Sequence, residues 1–194
     1  MSIKQKHEQM LYTGVLVSRK DGGHGSGVVI GAKNGITVVL TCKHVVKGKT
    51  KLRVKTYPDE VERPAKVLLR SSTHDLAILT FEGEHPYVAS LSGVVEPKVY
   101  EKVWSVGAGN AHDPYPGTGI IASVDDTDES MVIDTETVYG DSGGPVFVKE
   151  DGEYCLAGIV YAVHLLDKDT PVYHQGIAHT LLAIHLLFAE LNTL

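Results

Sequence analysis

The sequence has few of the features that indicate a membrane, secreted or nucleic-acid-binding protein. No apolar run reaches the roughly 20 residues that a helix needs to cross a bilayer. The first twenty residues contain no apolar block of the kind found in a signal peptide. The 18 Lys and Arg residues are outnumbered by 24 Asp and Glu residues and are scattered along the chain. The sequence therefore predicts neither a membrane partner nor a nucleic-acid partner.

Cysteine is also scarce. The chain contains only Cys42 and Cys155, and each lies in an apolar, strand-like stretch. This placement favours two free, buried thiols over a disulfide. With no signal peptide, it predicts a reducing location, either cytoplasmic or inside a host cell if the source is viral.

Metal-binding patterns are absent as well. Histidines cluster late in the chain, but none forms the H-E-x-x-H or cysteine-paired spacing of a zinc site. Incidental histidines are the expectation for this group, which comprises His164, His174, His179 and His185. We therefore predict no metal and no cofactor.

Short strands dominate the sequence. Runs rich in β-branched residues are broken at close intervals by Gly, Pro, Asn and Asp, six in each half of the chain, and a helix-spaced apolar segment follows. This pattern predicts an all-β protein with two six-stranded antiparallel barrels and a C-terminal α-helix. We expect a single domain of residues 1–194. Its predicted parts are an N-terminal barrel (12–81), a connector (82–101), a C-terminal barrel (102–178) and a C-terminal helix (179–194).

One polar, glycine-rich stretch, TVYGDSGGPVF, surrounds Ser142. A serine hydroxyl is a poor nucleophile until a base removes its proton and a third group orients that base. His44 follows an apolar strand in TCKHVV, and Asp75 begins the buried strand HDLAIL. A carboxylate at the start of a buried strand is costly unless it is hydrogen-bonded, and an imidazole N–H meets that need.

Together TCKHVV, HDLAIL and GDSGGPV, in this order, resemble the trypsin-like (chymotrypsin-fold) serine proteases. The layout is most similar to the compact HtrA-like and the bacterial or viral protease domains. The resemblance implies a serine endopeptidase that cleaves protein or peptide substrates through an acyl-enzyme. In it, Ser142 is the nucleophile, His44 is the base and then the acid, and Asp75 orients His44. The N–H groups of Gly140 and Ser142 would form the oxyanion hole.

The resemblance also locates a specificity pocket. Glu136, six residues before the serine, stands at the pocket floor and would favour Arg or Lys at the cleaved position. Tyr161 and Val163 stand on one wall, where Val163 would narrow the pocket and favour a small aliphatic residue. Gly176 would keep the opposite side open, and Tyr139 is a further predicted substrate contact. Both specificities stay open at this point.

One departure from the family leaves the role of Asp141 open. Asp141 is present, but no cleavage site followed by an Ile-Val-Gly-Gly-like start accompanies it, so it is expected to pair with an internal group or a partner, or to cap its own turn. A second hypothesis for the function, beside the active endopeptidase, is a latent or catalytically quiet protease-fold module that binds peptides or an activating partner.

The stretch around Ser142 also matches G-x-S-x-G, the nucleophile motif of the α/β-hydrolases. That fold is disfavoured, because only 52 residues follow Ser142 and the alternating strands and helices of an α/β-hydrolase are missing.

Overall fold

A computed structural model describes residues 1–48, 51–93, 97–167 and 169–193 of the chain. Residues 94–96 of the predicted connector and residue 194 of the predicted C-terminal helix lie outside the described residues.

The first half of the chain forms a closed six-stranded barrel in the order β1-β2-β3-β6-β5-β4. All neighbouring strands are antiparallel, and pairing of β1 with β4 closes the barrel. Most of the valines, leucines and isoleucines that predicted the strands are buried in the core, whereas Ile36 and Leu68 are exposed. The strands are β1 (Gly14–Arg19), β2 (His24–Lys33), β3 (Ile36–Thr41), β4 (Leu52–Lys55), β5 (Glu62–Arg70) and β6 (Ala77–Glu82).

The second half also forms a six-stranded antiparallel barrel, in the order β11-β8-β9-β10-β13-β12, closed by pairing of β11 with β12. A short strand β7, from the predicted connector, pairs in parallel with β12. The predicted double barrel is therefore confirmed. The strands are β7 (Ser90–Leu91), β8 (Lys102–Gly107), β9 (Tyr115–Asp125), β10 (Ser130–Ile133), β11 (Pro145–Glu150), β12 (Glu153–Leu165) and β13 (Pro171–Thr180).

The predicted C-terminal helix is present as α2 (Leu181–Leu191). Leu181, Ile184 and Leu187 are fully buried at helical spacing, which is why the segment folds as a helix against the barrels. Neither helix in the described part of the chain has the length and apolar character needed to span a membrane.

An N-terminal helix, α1 (Ile3–Tyr12), was not predicted. Only Met10 is buried in it, so the segment lacks the apolar stripe that indicates a helix in sequence. The Ser2 hydroxyl accepts from the Gln5 N–H, and the Gln5 side chain accepts from the Ser2 N–H. This reciprocal capping box, visible in the sequence as Ser-x-x-Gln, is the signal that would have revealed the helix.

The prediction that both cysteines are free is confirmed, and the prediction that both are buried is confirmed only for Cys42. Both cysteines are free, and Cys42 is fully buried below the end of β3. Cys155 is only partly buried; it lies near the start of β12, where Glu153 is exposed and Tyr154 is also only partly buried.

Candidate active site

His44 and Asp75 meet at one end of the first barrel. β3 and β6 are paired, with Thr41 opposite Ala77, so the segments beyond β3 and before β6 emerge side by side. The Asp75 carboxylate accepts from the His44 backbone N–H at 2.9 Å and lies 2.5 Å from His44 Nδ1. An ionised carboxylate only accepts hydrogen bonds, so this contact keeps the proton on Nδ1 and leaves Nε2 as the basic nitrogen.

The environment of Asp75 keeps it ionised. Burial raises the pKa of Asp75, but the hydrogen bonds and charge of His44 outweigh burial, and the pKa lies below its usual value. Asp75 is therefore a carboxylate at neutral pH, as the contact with Nδ1 requires.

Ser142 lies in the turn before β11 and is fastened to the first barrel by Ser26. The Ser26 N–H donates to the Ser142 carbonyl at 2.8 Å, and the Ser26 hydroxyl donates to the Gly140 carbonyl at 2.7 Å. These two bonds cross between the barrels, so the structure brings the Ser142 turn to the same interface as His44 and Asp75.

The Ser142 hydroxyl is hydrogen-bonded to a backbone carbonyl. Its Oγ donates to the Tyr161 carbonyl at 3.3 Å, and no hydrogen bond joins Ser142 to His44 within the described residues. Catalytic hydrogen bonds are often long or misaligned when no substrate is bound.

The turn around Gly140 has the shape of an anion-binding loop. The Tyr139 carbonyl accepts from the Asn110 N–H at 2.9 Å, which directs the N–H of the same peptide, that of Gly140, to the opposite side. Among the described residues, neither the Gly140 N–H nor the Ser142 N–H donates to a protein acceptor. Two unpaired backbone donors in one turn can stabilise an oxyanion.

Gly140 has a positive φ of +101°, and a Cβ placed on it would lie 2.9 Å from the Asn110 nitrogen. We expect Gly140→Ala to displace the peptide and lower kcat by about 10²–10³-fold, the usual loss for one oxyanion donor. Steady-state kinetics on a peptide substrate tests this, with Gly35→Ala as the matched control: Gly35 also has a positive φ, of +77°, but lies in the β2–β3 turn. Equal kcat in the two variants would contradict an oxyanion role for this turn.

Asp141 has an internal partner. It is buried, and its carboxylate accepts from the Val138 N–H at 2.8 Å and from the Tyr115 hydroxyl at 3.3 Å. Burial raises the pKa of Asp141 even though these bonds act against it. Burial also raises the pKa of Tyr115 to about 12, with the charge of Asp141 adding to the effect. Asp141 therefore pairs with an internal group, Tyr115, and also caps its own turn through Val138, so both expected alternatives are present.

The predicted pocket residues lie around the same turn with different exposures. Glu136 is exposed, as is Tyr139, whose ring meets Tyr173 edge to face. Gly176 pairs with Val163 in the sheet and is buried. A Cβ on Gly176 would lie 2.5 Å from the Thr137 hydroxyl, so this position has room for glycine and not for a larger residue.

The Tyr161 ring does not line the predicted pocket wall. The ring stacks on His179, with centroids 4.2 Å apart, behind the His44–Asp75 pair. His179 is buried, and neither ring nitrogen has a partner within the described residues. Burial and the charge of His74 lower the pKa of His179 to about 4, which keeps this ring neutral.

Sequence reasoning missed the residues that hold the Asp75 loop in place. Glu190 of α2 accepts from the Ser71 hydroxyl at 2.6 Å and from the Ser72 N–H at 2.9 Å. His74 lies 2.5 Å from the Glu129 carboxylate in the second barrel. These contacts join residues far apart in sequence, so no local motif indicates them.

The late histidines that we expected to be incidental form no metal-binding group in the described part of the chain. One group of three potential ligands lies close together there, and it consists of Cys42, His44 and Asp75.

The double barrel, with a histidine, an aspartate and a serine gathered between its halves, defines the chymotrypsin-like class of folds. The sequence profile of the trypsin-like peptidase domain family matches residues 25–159. The chain belongs to this family.

Two known proteins show the extent of the similarity. The chain is 32% identical over 147 residues to the serine protease Do-like HtrA of Bacillus subtilis (strain 168), over 69% of this chain and 32% of that protein. A crystal structure of the serine endoprotease from Yersinia pestis superposes with a TM-score of 0.81 at 21% identity, over 98% of this chain and 66% of that chain. The chain thus spans about a third of the first protein's length, and the second comparison shows the fold.

Proposed function

We propose that the chain is a serine endopeptidase that hydrolyses peptide bonds of protein substrates. Ser142 is the nucleophile, His44 is the general base and then the general acid, and Asp75 orients His44 and stabilises its charged form. The pairing of His44 Nδ1 with Asp75 at 2.5 Å is the observation that carries the proposal, because it leaves a basic Nε2.

The reaction follows from these positions. The Ser142 hydroxyl turns from the Tyr161 carbonyl to His44, gives its proton to Nε2 and attacks the substrate carbonyl. The N–H groups of Gly140 and Ser142 stabilise the oxyanion. His44 returns the proton to the departing amine, which leaves an acyl-enzyme on Ser142. Water, deprotonated by His44, then releases the acid and restores the serine.

A quiet or latent binding module is the second candidate, and one observation favours it. The Ser142 hydroxyl is bonded to the Tyr161 carbonyl and not to His44. In this alternative the cleft binds an extended peptide by strand addition, or waits for an activating partner to turn the serine. The internal pairing of Asp141 with Tyr115 supports the active form, because Asp141 then needs no newly cut N-terminus.

Incubation of the purified chain with a peptide library separates the two candidates. Mass spectrometry of the products reports cleavage, and fluorescence anisotropy of the same peptides reports binding. An endopeptidase releases fragments at defined bonds. Binding without release of fragments favours the quiet module and contradicts the proposed peptidase.

Substrate preference at the cleaved position depends on two features that act in opposite directions. We infer that Thr137, whose hydroxyl lies close to Gly176, limits the depth of the pocket and favours small aliphatic residues. Glu136 adds a negative charge that favours Arg or Lys, and its exposure weakens that effect through solvent screening.

We expect Glu136→Gln to lower kcat/KM for Arg and Lys substrates by about fivefold, as befits an exposed charge pair of about 1 kcal/mol. Substrates with Ala or Val at the same position should be unaffected. Rates on matched peptides check this, with the exposed Glu82→Gln as the control. A loss that is equal for Arg and Val peptides would contradict a role of Glu136 in charge selection.

A further inference from the structure

Cys42 has no part in the proposed reaction, yet it lies directly beneath the two residues that activate the serine. Its thiol sulfur, a His44 ring nitrogen and an Asp75 carboxylate oxygen all lie within 4.8 Å of one another. The thiol is fully buried and donates to the Val160 carbonyl at 3.2 Å.

The three groups are the ligands that zinc prefers. Zn²⁺ is held by thiolate sulfur at about 2.3 Å, imidazole nitrogen at about 2.0 Å and carboxylate oxygen at about 2.1 Å, with water completing a tetrahedron. Ligand atoms around such an ion are about 3.3–3.6 Å apart. The observed arrangement therefore needs displacements of about 1 Å to accept the ion.

The charges also balance. Burial and the charge of Asp75 raise the pKa of Cys42 well above its usual value, so the thiol keeps its proton when no ion is present. A divalent cation neutralises one thiolate and one carboxylate, which removes the cost of two negative charges in a partly buried site.

We propose that Cys42, His44 and Asp75 form an inhibitory site for a thiophilic divalent cation such as Zn²⁺ or Cd²⁺. The ion binds where the Nδ1 proton of His44 now meets Asp75. His44 stays neutral by moving its proton to Nε2, and the Cys42 thiol releases one proton to solvent. With Nε2 protonated, His44 cannot accept the proton of Ser142, and hydrolysis stops.

His44 provides the route of entry. Its side chain is 46% exposed, compared with 28% for Asp75 and none for Cys42, so the imidazole is the group that can swing outward. The Cys42 thiolate gives this site a selectivity for cations that an exposed histidine alone does not have. Soft sulfur favours Zn²⁺ and Cd²⁺ over Mg²⁺ and Ca²⁺.

Direct binding is measured on Ser142→Ala, which retains all three ligands. Titration with Cd²⁺ should produce the ultraviolet cadmium–thiolate charge-transfer band with one equivalent of ion. Adding Cys42→Ser should abolish the band and weaken binding by on the order of 100-fold. Adding Cys155→Ser, the matched control, should leave both unchanged. No band with Ser142→Ala alone, or a band that depends on Cys155, would overturn the proposal.

A second variant keeps the test valid if Cys42→Ser does not fold. His44→Ala lies at a half-exposed position, and in the Ser142→Ala background it should weaken Cd²⁺ binding by at least 10-fold. Affinity that is unchanged without His44 would contradict the proposed ligand set.

Only the inhibitory effect rests on the proposed peptidase function. With each variant normalised to its own metal-free rate, Cys42→Ser should raise the Zn²⁺ concentration for half inhibition by at least 10-fold, and Cys155→Ser should not. A chain that shows the cadmium band but no hydrolysis retains the metal site and loses the proposed function. An active chain without the band retains the function and loses the site.

Discussion

Replacement of Ser142 by Ala is expected to lower kcat for peptide hydrolysis by about 10⁶-fold, because it removes the proposed nucleophile that forms the acyl-enzyme. The remaining groups still bind substrate and stabilise the oxyanion, so KM should change little. Kinetics on a quenched fluorescent peptide, followed to long times, measures the residual rate.

A matched control keeps this result specific. Ser123 is an exposed serine on β9, and Ser123→Ala should retain the rate of the unmodified chain. Residual activity of Ser142→Ala within about 100-fold of the original would identify another nucleophile and contradict the mechanism.

Asp75→Asn is expected to lower kcat by about 10⁴-fold at neutral pH, the loss that follows when the orienting aspartate of a Ser–His–Asp triad becomes an amide. The structure gives the reason. Asp75 accepts both the backbone N–H and the Nδ1–H of His44. An amide that keeps its oxygen on the backbone N–H presents NH₂ to Nδ1, which places the imidazole proton on Nε2, where the base is needed.

Two measurements test this prediction. Rates of the variant are compared with those of Asp134→Asn, an exposed aspartate in the same chain whose loss should leave the rate unchanged. Neutron or NMR detection of the His44 ring proton should show it on Nδ1 in the unmodified chain and on Nε2 in Asp75→Asn. If the His44 ring proton lies on Nδ1 in both proteins, the orienting role of Asp75 is contradicted.

The lowered pKa of Asp75 adds a pH signature. Because the folded pKa lies below the unfolded one, the ionised carboxylate contributes stability above the unfolded pKa, and this is lost as pH falls through the folded pKa. The difference in unfolding free energy between the unmodified chain and Asp75→Asn should therefore shrink in acid. Urea unfolding at neutral and acid pH measures it, and a difference that grew in acid would contradict the assignment.

The sequence was sufficient to predict the double barrel. Its motifs also named His44 and Asp75, which are hydrogen-bonded to each other, and Ser142, whose turn is bonded to the first barrel. Runs of β-branched residues predicted the strands. The three motifs predicted the candidate catalytic residues, which lie just beyond the ends of strands. The N-terminal helix was missed because α1 buries only Met10 and carries its signal in the cap rather than in an apolar stripe.

The contacts that support the site were beyond local sequence patterns. Glu190 reaches the Asp75 loop from the far end of the chain, and Tyr115 reaches Asp141 from β9. Each depends on how the two barrels and α2 pack together. The hydrogen-bond partner of the Ser142 hydroxyl and the close approach of Thr137 to Gly176 likewise depend on side-chain packing that periodicity does not encode.

Labelling with a fluorophosphonate probe tests the central claim most directly, because the probe reacts only with a serine that has an assembled base and oxyanion hole. The folded chain should be labelled, with the adduct on the peptide that contains Ser142, and Ser142→Ala should stay unlabelled. A folded chain that is not labelled, or is labelled at another residue, would show that His44, Asp75 and Ser142 do not act together and would contradict the account.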